Sequence, residues 1–143
     1  MKERILLLLM ESSNLTEKFI ELVISRLKTL TYEVKEGDEF LLSFFMQQVE
    51  NTIRNSCNTT SIPDGLMFIA IDMVCGQFLI NMKQAGLLND SFDIDTAITK
   101  VKLGDTDVSF NENDNVDQKL DQLFSYMMNH GKDEFICYRK LRW

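Results

Sequence analysis

Ser61-Ile62-Pro63-Asp64-Gly65-Leu66-Met67-Phe68-Ile69-Ala70-Ile71-Asp72-Met73-Val74-Cys75-Gly76-Gln77-Phe78-Leu79-Ile80-Asn81-Met82-Lys83-Gln84-Ala85 is the stretch that decides the fold of this chain. Proline is tolerated where a helix opens, because its missing N–H has no partner in the first turn anyway. From Gly65 to Ala85 the apolar residues Leu66, Met67, Phe68, Ile69, Ile71, Met73, Val74, Phe78, Leu79 and Ile80 fall almost all round a 3.6-residue period. A helix that is apolar on every side is buried on every side. The expectation is a central helix with the rest of the chain wrapped around it, or one that also packs between subunits.

The flanking segments supply the wrapping. Residues 2–10 predict a short helix. Leu15, Phe19, Leu22, Val23, Ile24, Leu27 and Leu30 recur at spacings of three and four, the pattern of an amphipathic helix. Ser13 or Asn14 is its expected cap, with Glu17 completing a capping box. Thr31 to Lys35 alternates and ends that helix, and Asp38 is the expected cap of the next. Leu42, Phe45, Met46, Val49 and Ile53 then share one face up to about Asn55, before Cys57-Asn58-Thr59-Thr60 breaks the pattern. A last helix carries Val116, Leu120, Leu123, Phe124, Met127 and Met128 and ends at His130-Gly131.

Between the last two helices the period changes. Ile98 to Lys102 alternates, Leu103-Gly104-Asp105 turns, and Thr106 to Phe110 alternates again, predicting a β-hairpin at about 97–110. A lone two-stranded ribbon is marginal in water, so this hairpin, with Val101, Leu103, Gly104, Asp105, Thr106, Val108 and Phe110, needs another sheet or another subunit to pair with. The predicted fold class is mainly α: a small helical bundle with one β-hairpin and an extended C-terminal arm. Residues 1–131 would form the domain and residues 132–143 the arm.

Composition narrows the function. The 143 residues include ten Phe, eight Met and one Trp, enough apolar bulk for one compact core. Fifteen Lys and Arg against 22 Asp and Glu leave a formal charge of −7, which argues against a general nucleic-acid binder. The charge is unevenly spread. Residues 87–121 hold nine acidic and three basic side chains, whereas residues 122–143 hold two acidic and four basic. An acidic middle and a basic end suit oriented assembly.

Chemistry is poorly supplied. Cys57, Cys75 and Cys137 are odd in number and scattered, which fits neither a disulfide framework nor, with the single His130, a zinc site. His130 is expected to be a capping or exposed side chain rather than a general base. The clusters Asp90, Asp93, Asp95 and Asn113, Asn115, Asp117 lack the glycine and glutamate that a calcium loop requires. The glycines are isolated, so no phosphate-binding loop is present. No catalytic, cofactor-binding or metal-binding residue is expected, and the chain reads as a non-enzyme.

The N-terminal Ile5-Leu6-Leu7-Leu8-Leu9-Met10 imitates a signal sequence, but it is short, follows Glu3, and has no small-residue cleavage site after it. A buried first helix is expected instead. No stretch is expected to reach the roughly eighteen apolar residues of a membrane span.

The end of the chain, Tyr138-Arg139-Lys140-Leu141-Arg142-Trp143, is dense in the aromatic and guanidinium side chains that dominate protein–protein contacts. It reads as a docking arm, with packing back onto its own domain as the alternative.

Three segments in order carry a resemblance. They are Glu50-x-x-Ile53-x-Asn55-x-Cys57-Asn58 leading into Ile62-Pro63-Asp64-Gly65-Leu66, then Lys102 to Phe110, then Tyr138 to Trp143. Together, across residues 39–143, they resemble the head–tail connector (adaptor) family of long-tailed phages and prophages. The chain is also similar to the collar or neck proteins of contractile phage-tail-like particles of clostridia. Residues 1–38 lie outside the resemblance.

The family implies a structural ring of identical subunits, usually twelve-fold, made in the bacterial cytoplasm and built into the neck of a particle. A portal or collar protein would lie on one side and a tail terminator or other neck protein on the other. DNA would pass only as cargo, with no membrane involved. By that resemblance Leu103 to Phe110 pairs between neighbours in the ring, and Tyr138, Arg139, Arg142 and Trp143 engage the portal-side ring. A cytoplasmic helical binding module or regulator is the alternative reading.

Overall fold

The computed structural model describes residues 2–9, 13–86 and 116–139. In chain order the helices are α1 (Lys2–Leu8), α2 (Glu17–Thr29), α3 (Glu39–Cys57), α4 (Met67–Gln84), α5 (Val116–Asn129) and a short α6 (Phe135–Tyr138). Single 3₁₀ turns, Glu36–Asp38, Asp64–Leu66 and Lys132–Glu134, lead into α3, α4 and α6.

The central helix is where the sequence places it. α4 packs against α2, α3 and α5, while α1 closes one end against α2 and α3. Val74, Cys75, Phe78 and Leu79 of α4 are buried against Phe19, Ile20, Val23 and Leu27 of α2, Leu42, Met46 and Ile53 of α3, and Leu123 and Phe124 of α5 in one continuous core. The stripes expected on α2, α3 and α5 are the faces that supply these residues. Gly76 permits the close approach of α5: a β-carbon there would lie 2.9 Å from the Phe124 carbonyl oxygen. Lys83 Nζ and Asp121 Oδ1, 2.6 Å apart, tie the same two helices at their rim.

Burial of α4 is not uniform, however. Phe68 is 75% exposed, so one position of the stretch expected to be covered on every side faces out. Residues Asp64–Gln84 also have the length and composition of a membrane span, with mean hydropathy 1.6. In the fold 56% of that window is buried against the rest of the domain.

Several helix ends differ in detail from expectation. α2 is capped by Thr16, whose Oγ1 accepts from the Phe19 N–H at 3.3 Å. Asn14 lies two residues before that cap and is held elsewhere: its backbone N–H donates to Glu50 Oε2 at 2.9 Å and its Nδ2 donates to the Thr60 carbonyl at 2.6 Å. Asp38 does not cap α3 with its side chain. Its Oδ2 looks backward, accepting from the Lys35 N–H at 2.9 Å and the Tyr32 hydroxyl at 2.8 Å. Pro63 precedes the 3₁₀ turn, and its carbonyl accepts from Leu66 N–H at 2.9 Å. α2 ends where alternation begins: Thr31 turns left-handed at φ 71°, while Tyr32 N–H closes back on the Leu27 carbonyl at 2.9 Å.

The expectation of a mainly helical fold holds. The hairpin expected at about 97–110 lies outside the described residues and gains no support, since no strand occurs among the described residues. The C-terminal arm is not extended at its start. Residues 132–138 form a 3₁₀ turn and α6, folded back on α3 because Phe135 is buried in the core.

Candidate functional site

Two places combine side chains that the core does not require: the start of the C-terminal arm, and a cleft between α2, α4 and α5.

At the first, Cys57 at the end of α3 is buried and its thiol lies 3.5 Å from the Phe135 carbonyl, within reach to donate. Tyr138 follows one turn later and lies over Gly65, in the space a β-carbon would fill. Around it Thr59, Thr60, Ser61 and Pro63 line a shallow hollow of about 180 Å³. Ile136, by contrast, is 77% exposed. Arg139 is extended and exposed as the chain leaves this corner.

Of the residues expected to dock on a partner, Tyr138 is therefore held by its own domain, and Arg139 is presented outward. Lys140, Leu141, Arg142 and Trp143 lie outside the described residues, as do Val101, Leu103, Gly104, Asp105, Thr106, Val108 and Phe110.

The motif that carried the resemblance is built from structural roles in this region. Glu50 is 2% exposed and holds the Asn14 N–H, Ile53 is core, Cys57 meets the arm, and Asn58 ends α3 in a left-handed conformation at φ 55°. The Gly65 that follows receives Tyr138.

The second place is a cleft of about 460 Å³ with an ion-paired cluster in its wall. Arg26 on α2 donates through Nε to Asp72 Oδ1 at 3.0 Å. His130 at the end of α5 places Nε2 3.0 Å from Asp72 Oδ2. Both carboxylate oxygens are thus engaged, and one side chain of α4 links the two helices beside it. The His130 ring also stacks on Tyr126 one turn earlier, with centroids 4.8 Å apart and planes 14° apart.

His130 is therefore not the exposed or merely capping side chain expected from sequence. The ring is drawn under the domain edge by the Asp72 carboxylate. Sequence reasoning missed Arg26 and Asp72 altogether. The available signal was Asp72 itself, a carboxylate on an otherwise apolar helix, which needs a partner when its neighbours are buried.

Comparison with protein-family models, curated proteins and solved structures finds no match.

The local chemistry stands on its own. An Asp–His pair orients an imidazole, but acyl transfer also needs a nucleophile within hydrogen-bond reach of the base. The described thiols do not provide one. Burial pushes the pKa of both the Cys57 and Cys75 thiols above the ordinary range, which suppresses their ionisation, and at Cys75 the negative charge of Asp72 adds to the effect. Among the described residues no group of three or more His, Cys, Asp or Glu is placed to hold a metal. What the cluster does provide is fixed polarity in an apolar wall.

Proposed function

We propose that this chain is a structural subunit of a particle neck: a head–tail connector or collar protein that assembles as a homo-oligomeric ring. The observation that carries the reading is apolar exposure on a well-filled bundle. Phe40 and Phe44, one turn apart on α3, are 68% and 51% exposed, and Ile136 is more exposed still. A chain that already buries a continuous core gains nothing as a monomer from holding aromatic side chains in water. Such side chains mark contact surfaces.

Three further features support the class of partner. The ordered resemblance of Glu50–Leu66, Lys102–Phe110 and Tyr138–Trp143 favours the connector family over a generic binding module. The acidic stretch 87–121 suits the wall of a DNA conduit, which should repel phosphate rather than hold it. The cationic, aromatic end from Arg139 onward suits docking on a neighbouring ring, a portal or collar protein.

In this reading Val101 to Phe110 forms a hairpin that pairs with the adjacent subunit. DNA is cargo, and the protein is made in the bacterial cytoplasm before joining the particle.

The test is co-sedimentation of the chain with phage or tail-like particles from induced cells, together with the mass of the purified chain in solution. Travel with particles at a fixed ratio to tail proteins is the expected result. A small species that remains in the soluble fraction would replace this reading with that of a helical regulator.

A further inference from the structure

We infer that the cleft between α2, α4 and α5 is a binding site for a small amphipathic carboxylate, its acid group held by Arg26 and its apolar body by Leu22, Ile71 and Phe68. The site does not depend on the neck reading.

Size and lining come first. A volume of about 460 Å³ falls within the range of sites that enclose a small organic ligand. The walls are mainly apolar, with charged and imidazole groups from Arg26, Asp72 and His130 and hydroxyls from Ser25, Thr29 and Tyr126. That division favours a ligand with one polar end.

Electrostatics then selects the sign. The two Asp72 oxygens are already engaged, one by Arg26 Nε and one by His130 Nε2. The carboxylate is therefore a poor partner for an incoming cation. A guanidinium carries five N–H donors, and Nε supplies only one of them; the other four project from its two terminal nitrogens. Among the described residues Asp72 is the one ion-pair partner of Arg26. A neutral apolar ligand would take those donors out of water and offer nothing in exchange, which is costly. A carboxylate meets them with the matching two-pronged geometry.

Phe68 supplies the remaining observation. It stands 75% exposed on a helix whose other aromatic residue, Phe78, is fully buried, and it lines this cleft. A ligand with an apolar body would cover it.

The experiment uses the purified full chain and three probes of one shape: naphthalene-2-carboxylate, naphthalene-2-carboxamide and naphthalen-2-ylmethylamine. Binding is read by titration calorimetry and by the shift in Tm. The carboxylate should bind saturably at one site and raise Tm, with the amide about tenfold or more weaker and the amine weaker again.

Arg26→Gln should abolish the preference for acid over amide. Because that variant also disturbs the Asp72 pair, Phe68→Ser provides the second control. It should leave the Tm of the unliganded protein unchanged and weaken the carboxylate severalfold. Equal affinity for acid and amide, full affinity in Phe68→Ser, or no saturable binding at millimolar carboxylate would each overturn the assignment. None of these results would bear on particle association, so the two readings fail separately.

Discussion

Tyr138 lies in the space that a β-carbon would occupy on Gly65. The contact joins the turn that opens the central helix to the first turn of the C-terminal arm, two segments far apart in sequence. It also defines where the arm departs. Tyr138 is turned toward the domain, and Arg139 follows it in an extended, exposed conformation.

Gly65→Ala should therefore displace the partly exposed Tyr138 ring, which can swing aside, at a cost of about 1 kcal/mol. Urea unfolding of Gly65→Ala, Tyr138→Ala and the double variant checks this. The double variant should be less destabilised than the sum, by at least about 0.5 kcal/mol, because both changes break one contact. Strict additivity would mean the two residues do not share it.

Asp72→Asn should destabilise by about 1–3 kcal/mol in urea. It removes the charge that partners both Arg26 and His130, whose side chains are 26% and 18% exposed. Partial solvation keeps the cost below that of breaking a fully buried pair. A change smaller than about 0.5 kcal/mol would show the cluster to be screened and dispensable for folding.

Tyr32 sets an alkaline limit. Burial first, then the hydrogen bond to Asp38 and its charge, push the phenol well above the ordinary tyrosine range. The folded state therefore keeps a proton that the unfolded chain releases from about pH 10. Stability from this group is fully present below that pH and falls as pH rises above it. Tyr32→Phe should cost about 1–2 kcal/mol at neutral pH, because Asp38 loses a buried donor, and should make the alkaline decline in stability shallower. An unchanged alkaline limb in denaturant titrations would contradict the assignment.

Thr31→Gly is expected to stabilise. Thr31 is β-branched and held at φ 71°, a left-handed conformation that costs an L-residue roughly 1–2 kcal/mol. Glycine removes that strain but adds freedom to the unfolded chain, leaving a net gain of about 0.5–1 kcal/mol. Thermal unfolding reads the sign directly; a loss of stability would show that the threonine side chain contributes more than its backbone strain costs.

The helical part of the fold was legible because apolar periodicity is local information. The stripes Phe19–Val23–Leu27 and Leu42–Met46–Val49–Ile53 are written at spacings of three and four, and each became a buried face. The run from Leu66 to Met82 named its own position at the centre, since a helix with little polar surface has few other stable places. Helix ends were less legible. Asn14, an expected cap of α2, is instead held by Glu50 and Thr60, which the chain brings alongside from another helix and loop.

By itself, then, the sequence determined the class, the central helix and the faces that meet it, because burial of apolar area follows a repeat readable within a few turns. Only the tertiary structure decided that Asp72 would join Arg26 to His130 and that Tyr138 would lie over Gly65. It likewise decided that Phe68, of all the apolar residues on α4, would be left facing outward. Those outcomes depend on crossing angles and on which side chains arrive from distant segments. A polar atom takes its partner from whatever packing places within about 3 Å, and no spacing along the chain encodes that distance.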